Sequence, residues 1–250
     1  MKSKLCFFIL LFYGLYVQAQ EQPDFEKKVR FGIKTGLNVS LFTSKVMPAS
    51  TARRSDFSNF DPYVRSSINA GLTADGQLTE RISLSAELLF NPRGMVYREK
   101  NNYVDIVNDE GEKEQAYNNF NFNIDYVELP ILINYNFKPR VYRLFLAAYV
   151  GLAPGIAVNS KTKLSYEEGL DGNGREAKNE ILPLKYVNHF NNSLLTGIKV
   201  GENNPRKLNL YGDFRLSYTL LPVFSRKVSD KGSNLDTRML TGSVSIGVKF

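Results

Sequence analysis

A strict alternation of apolar residues with small or polar ones, recurring in eight segments and ending on a C-terminal phenylalanine, restricts what this chain can fold into. From Phe31 every second residue is Phe31, Ile33, Thr35, Leu37, Val39 and Leu41, interleaved with Gly32, Lys34, Gly36, Asn38 and Ser40. At the other end Leu240, Gly242, Val244, Ile246, Val248 and Phe250 alternate with Thr241, Ser243, Ser245, Gly247 and Lys249. Successive side chains of a strand point to opposite faces, so this period coats one face with apolar groups and leaves the other small and polar. Repeated along the chain, it predicts an all-β fold: an eight-stranded antiparallel transmembrane β-barrel.

The strands are predicted at 30-43, 66-78, 82-97, 120-137, 141-158, 189-201, 208-222 and 239-250. Most exceed the roughly 9–11 residues that a tilted membrane strand needs. Residues 79-81, 138-140 and 202-207 are tight turns, whereas 44-65, 98-119, 159-188 and 223-238 are long polar excursions. Outer-membrane barrels place short turns on the periplasmic side and long loops outside. Four long extracellular loops and two periplasmic termini are therefore expected. Phe31, Phe137, Tyr142 and Phe250 are candidates for one interfacial aromatic girdle, and Phe42, Tyr97, Phe122 and Tyr218 for the other.

Two strands resist this reading. In the fourth, Phe120, Phe122, Ile124 and Tyr126 share one parity, but Val127, Leu129, Ile131, Ile133, Tyr135 and Phe137 share the other. A β-bulge near Tyr126 would restore the pattern, as would a strand that rises above the membrane before Val127. Pro130 lacks a ladder donor, which also points to a bulge. The fifth strand is apolar on both faces, with Phe145, Ala147 and Tyr149 against Leu146, Ala148 and Val150.

The first 19 residues read as a signal peptide. Lys2 and Lys4 precede an apolar run from Leu5 to Val17, and Val17-Gln18-Ala19 is a small-residue cleavage pattern, which leaves 20-250 as the mature barrel domain. The run is shorter than the roughly 20 residues of a spanning helix. Cys6, the only cysteine, lies within it, so the mature domain has no thiol chemistry. Loss of Lys2 and Lys4 takes the formal net charge from +7 to +5. No Lys/Arg block or aromatic-basic cluster accompanies that charge, which argues against nucleic acid as a partner. A soluble lipocalin-like ligand binder is the architectural rival, with its apolar face inward. Here the Gly, Ser, Asn and charged residues of the polar face suit a narrow interior and favour the membrane barrel.

An eight-stranded barrel has an interior just wide enough for side chains to fill. Lys34, Glu87, Glu128, Lys199, Asp213, Arg215 and Lys249 fall on the inward parity. Because an unpaired buried charge is costly, they are expected to neutralise one another as an interior polar network that plugs the barrel. A small solute channel through the lumen is the alternative.

His189, the only histidine, lies where the sixth strand meets its long loop, with Ser193 four residues on and Asp171 and Glu180 upstream. These residue types could assemble an outer-membrane hydrolase. Nothing in the spacing fixes a serine and a carboxylate around the imidazole, so a solvent-exposed loop histidine is expected and no catalytic residue is assigned. Asp171-Gly172-Asn173-Gly174 opens like a calcium loop, but Arg175 and Glu176 then occupy the fifth and sixth positions, so a tight turn is expected. No metal cluster, phosphate loop or cofactor motif is present, and no cofactor is expected. Residues 98-119 carry six acids against three bases, with a turn expected at Asp109-Glu110-Gly111. This segment is expected to be a hairpin projecting above the membrane, as a solvated loop or a weak contact for cations, sugars or a partner.

Together, Gly32-x-Lys34-x-Gly36-Leu37-Asn38, Tyr126-Val127-Glu128-Leu129-Pro130, Gly151 with Pro154-Gly155, and Gly247-Val248-Lys249-Phe250 resemble the small outer-membrane barrels of Bacteroidota called the PorT-like family. The resemblance spans nearly the whole mature chain. It implies a Gram-negative cell envelope and, for the name-giving branch, a role in type IX protein secretion with secretion-system partners. The expectation is a non-enzymatic outer-membrane protein in contact with outer-membrane lipid. Phe250 would act as the assembly signal, read by the barrel-assembly machinery through the last strand.

Overall fold

The alternation resolves into strands in the computed structural model, which describes residues 29–44, 60–107, 111–137, 144–166, 178–184, 186–202, 208–224 and 237–250. The signal-peptide segment, Tyr142 and the Asp171 to Gly174 turn lie outside the described residues. Ten strands run through the described ones: β1 (Val29–Phe42), β2 (Phe60–Gln77), β3 (Ile82–Val107), β4 (Lys113–Glu128), β5 (Ile131–Asn136), β6 (Leu144–Tyr166), β7 (Lys178–Pro183), β8 (Phe190–Glu202), β9 (Asn209–Thr219) and β10 (Met239–Lys249).

All pairings are antiparallel. The ring runs β1, β2, β3, β4 with β5, β6, β8, β9 and β10, and closes where β10 pairs with β1. Eight staves result, because β4 and β5 are one stave and β7 is added alongside β6. Closure removes the unpaired sheet edges that lipid could not satisfy.

The β4/β5 stave corrects the expected bulge near Tyr126. Leu89↔Glu128 and Ala86↔Ile131 keep one register across Leu129 and Pro130. The Pro130 carbonyl accepts from Glu87 N at 2.9 Å, and Leu129 N donates to the Pro154 carbonyl at 2.9 Å. The irregularity sits on the neighbouring strand instead: Asp125 pairs with Asn159 but Tyr126 with Ala157, so Val158 is the extra residue, on β6. Phe120, Phe122, Ile124, Tyr126 and Glu128 therefore all point inward and are buried.

What changes along this stave is chemistry, not phase. From Val127 toward the turns the outward residues are apolar (Leu129, Ile131, Ile133, Tyr135, Phe137), each exposed. Toward the loops the outward residues are Asn119, Asn121, Asn123 and Asp125. The stave thus leaves the apolar belt at Val127, as the second sequence reading anticipated. On β6 the same border runs between Val158 and Asn159, and Leu146 and Val150 face outward while Ala147 and Tyr149 are buried inside.

Around the ring, Ile33, Leu37, Leu72, Leu88, Ile198, Leu216, Val244 and Ile246 extend the belt, each at least 48% exposed. So continuous a layer of large apolar groups matches hydrocarbon and not water. Phe31 and Phe250 project outward at the turn end, joined by a hydrogen bond from Phe250 N to the Phe31 carbonyl at 2.9 Å. The other girdle is corrected. Phe42, Tyr97 and Phe122 are at most 3% exposed and lie inside the barrel, and of that set Tyr218 alone stays outward, under Arg238.

Those three aromatics belong to an apolar cluster that fills the loop end of the lumen, together with Met95, Phe120, Ile124, Tyr126, Leu184, Val223, Phe224 and Met239. Its outer cover is a sheet on one side of the barrel. The β3–β4 hairpin stays paired out to Val107↔Lys113, β4 pairs with β6 to Asn118↔Tyr166, and β7 continues alongside β6. The expected hairpin within 98-119 is thus present, while Asp109 and Glu110 at its turn lie outside the described residues. Above the belt the fold inverts to an apolar interior and a polar exterior, as in a water-soluble sheet.

Candidate functional site

Inward parity on four strands brings charge together in the middle of the lumen. Lys34 Nζ of β1 lies 2.6 Å from the Asp213 carboxylate of β9 and 3.3 Å from that of Glu87 on β3. Arg215 Nη2 reaches Glu87 at 2.9 Å and Asp213 at 3.0 Å. Lys199 Nζ of β8 sits 3.4 Å from Glu87. Because β3 and β9 stand on opposite sides of the ring, the Arg215–Glu87 pair spans the bore. Tyr149 of β6 donates its hydroxyl to Asp213 at 2.6 Å and accepts from Arg215 Nε at 2.9 Å.

Two smaller clusters flank this brace. Toward the loops, Arg93 Nη2 pairs with Glu128 at 2.7 Å, and Asn91 Nδ2 donates to the same carboxylate at 2.6 Å. Asn38 Nδ2 donates to Asn91 Oδ1 at 2.6 Å, and Asn69 Nδ2 to Asn38 Oδ1 at 2.5 Å. Toward the turns, Lys249 Nζ lies 3.1 Å from Asp75, which also accepts from the Ser85 hydroxyl. Beside Lys249 and Lys199 a cavity of about 50 Å³ opens among Gln77, Asn134, Asn136 and Phe145. That is room for a few waters at roughly 10–15 Å³ each.

Glycines make space for the large polar rings in this narrow bore. A Cβ at Gly197 would overlap the Tyr149 ring, and one at Gly247 would overlap the Tyr211 ring. Lys199 lies 5.1 Å from the centre of the Tyr149 ring and Lys249 4.7 Å from that of Tyr211, within cation–π range.

Of the seven charged residues singled out in the sequence, Lys34, Glu87, Lys199, Asp213 and Arg215 form the central brace. Glu128 lies above it and Lys249 below. Arg93, Asp75 and Tyr149 complete the clusters, and sequence reasoning did not assign them there. Arg93 continues the inward parity of Ser85, Glu87 and Asn91, which is the signal that could have found it. Tyr149 lies on a strand with two apolar faces, where parity alone cannot choose an interior.

The candidate hydrolase residues do not converge. His189 is exposed at the rim, where its carbonyl accepts from Ala157 N at 2.7 Å. Ser193 is 1% exposed, inside the lumen, and accepts from Arg93 Nη1 at 3.3 Å. Glu180 is half-buried on β7, and Asp171 lies outside the described residues. No group of His, Cys, Asp and Glu that could hold a metal ion occurs among the described residues. Chemically, the arrangement fills the bore with paired charge and closes its loop end with an apolar layer.

The family comparison agrees with this architecture. Residues 18–225 match the family described as an outer membrane protein beta-barrel domain. Among solved structures the chain is similar to Neisserial surface protein A, with 13% identity over 88% of this chain and 97% of that one and a TM-score of 0.37. It is also similar to Ail, the attachment invasion locus protein of Yersinia pestis, with 10% identity over 89% and 99% and a TM-score of 0.34. A third likeness is to OprG from Pseudomonas aeruginosa, with 12% identity over 90% and 97% and a TM-score of 0.39. No protein of curated function matches the chain significantly.

Proposed function

Because the chain belongs to the outer membrane protein beta-barrel domain family, we propose that it is a non-enzymatic envelope protein that works through its loop-end surface and not through its lumen. The observation that carries this reading is the Arg215–Glu87 brace across the bore, beneath an apolar layer that leaves the loop-end sheet as the accessible feature. Residues 1-19 are removed as a signal peptide, both termini face the periplasm and the long loops face outward. Phe250, exposed at the end of the closing strand, is the signal that the barrel-assembly machinery reads.

The motif resemblance to PorT-like barrels supports a narrower role as an accessory component of type IX secretion, with secretion-system proteins as partners. The exposure of His189 and the placement of Ser193 against Arg93 support the non-enzymatic reading over a hydrolase.

The test is deletion of the chain from its host, combined with affinity purification of the detergent-solubilised protein. Impaired export of secreted proteins, with envelope proteins co-purifying, is the expected result. Normal export with no co-purifying protein would overturn the secretion role. Loss of a lipid- or peptide-hydrolysing activity in His189→Ala would overturn the non-enzymatic reading.

A further inference from the structure

At the turn end the lumen opens into a cup of about 50 Å³ to which all eight staves contribute. Arg30, half-buried near the start of β1, and the exposed Glu202 at the end of β8 form its outer lip. Lys199 and Lys249 line its wall, and the central brace closes it on the inner side. The cup is therefore a dead end reached from the turns, not a passage.

Two amide groups in the wall are held in one orientation. Gln77 and Asn134 flank Ser83 in a single row across β2, β3 and β5. Gln77 Nε2 donates to the Thr79 carbonyl at 2.8 Å and to that of Glu80 at 3.3 Å. Asn134 Nδ2 donates to the Ser83 carbonyl at 3.1 Å and to the Ser85 hydroxyl at 2.7 Å. With both nitrogens committed, Gln77 Oε1 and Asn134 Oδ1 are left buried and without a partner, on residues only 3% and 2% exposed. A buried acceptor that lacks a donor is costly, so this part of the wall is suited to a ligand that donates.

Charge decides what else the cup receives. Lys199 Nζ stands 3.4 Å from Glu87 and 3.5 Å from the Ser85 hydroxyl, beyond the roughly 2.7–3.2 Å of an ordinary N–H···O bond. Lys249 Nζ meets Asp75 at 3.1 Å, and each ammonium carries three donors. Among the described residues, the brace and the Lys249–Asp75 pair hold four bases but three carboxylates. Arg30 and Glu202 at the lip carry opposite charges and leave that difference unchanged. One positive charge is thus left over in a bore walled by hydrocarbon, where an unpaired ion is very costly. Water can satisfy the two amide oxygens but cannot neutralise that charge.

We infer that the cup binds a small oxyanion carrying one negative charge and one hydroxyl, of the class of bicarbonate and the short 2-hydroxycarboxylates. Its charged oxygens accept from the ammonium groups of Lys199 and Lys249, and its hydroxyl donates to Gln77 Oε1 or Asn134 Oδ1. At roughly 10–15 Å³ per water, the cup accommodates about three to five non-hydrogen atoms, the size of these anions. A dianion would reverse the charge imbalance, and a larger acid would not fit. The site goes beyond the loop-end role proposed above and does not depend on which way the barrel faces.

The test titrates the full mature barrel in detergent with sodium glycolate, bicarbonate, acetate or chloride at fixed pH and ionic strength. The readout is the thermal midpoint of the gel-band shift, which a ligand of the folded state raises with its concentration. Glycolate or bicarbonate should raise it with an affinity roughly tenfold above that of acetate, which lacks the hydroxyl, and chloride should not act. Whichever of the two acts at lower concentration names the source, an organic acid or dissolved carbonate. Lys199→Gln removes the surplus charge and should weaken the response roughly 10–100-fold. Ala147, buried and paired directly with Lys199, offers a second variant: Ala147→Asp supplies a carboxylate of its own and should abolish the response. A heat-modifiable band shows that each variant folds. No response to either anion, equal responses to glycolate, acetate and chloride, or an unchanged response in either folded variant would each overturn the inference.

Discussion

Arg215 on β9 and Glu87 on β3 meet 2.9 Å apart in the centre of the barrel, from opposite sides of the ring. Glu87 also faces Lys34 and Lys199, so its carboxylate is the shared anion of three cations.

Replacing that anion leaves Asp213 as the only carboxylate of the central cluster. Breaking a buried pair by removing one partner costs about 3–5 kcal/mol. Glu87→Gln should unfold at clearly lower temperature, read as the midpoint of the gel-band shift in detergent. Adding Lys199→Gln removes the cation held at the longest distance and should restore part of the loss. No recovery in the double variant would show that the cluster is not governed by charge balance.

Tyr149 is expected to be sensitive from two directions. Tyr149→Phe deletes the hydroxyl between Arg215 and Asp213 and should cost about 1–3 kcal/mol. Gly197→Ala drives a methyl group against the Phe214 carbonyl and into the Tyr149 ring and should cost about 1–3 kcal/mol by overpacking, of which only the ring's share is relieved by Tyr149→Leu. Urea unfolding in detergent measures both, and combining Gly197→Ala with Tyr149→Leu should be milder than the sum of the two.

The lumen is closed at two levels, which separates the brace from the seal. Planar-bilayer recordings of the unaltered protein should show no conductance steps. A folded Glu87→Ser/Arg215→Ser variant should also stay silent, because Phe42, Phe122 and Phe224 still pack across the loop end. Steps in that variant would show that the apolar layer does not seal.

The chain contains no tryptophan, so a single introduced one reports its own surroundings. Leu72→Trp places it on the belt and should be quenched by brominated lipid. Phe122→Trp places it inside and should not be quenched. Equal quenching of the two would return Phe122 to the lipid interface.

The staves were legible in the sequence because hydrocarbon imposes one rule on every strand that crosses it, apolar outward. Ile33, Leu72, Leu216 and Val244 obey it, and their polar neighbours follow inward. The same rule misassigned Phe42, Tyr97 and Phe122, since it reverses where the outside becomes water. On the β4/β5 stave that reversal looked like a slip of phase, although the backbone keeps its register from Leu89↔Glu128 to Ala86↔Ile131. The real slip, at Val158, was hidden between two outward residues, one apolar and one polar. Partners within the lumen were harder still. Parity can say that Glu87 and Arg215 face inward, but only the closed ring says that they face each other.

Closure of the ring also sets when these charges can meet. Glu87 and Arg215 are 128 residues apart, and Lys34 and Asp213 are 179 apart. A nascent chain that has reached β8 already carries Lys34, Glu87 and Lys199, while Asp213 and Arg215 arrive only with the next strand. Until then the half-built sheet cannot be dry on its inner side. Entry into the bilayer and joining of the first strand to the last are thereby tied into a single event.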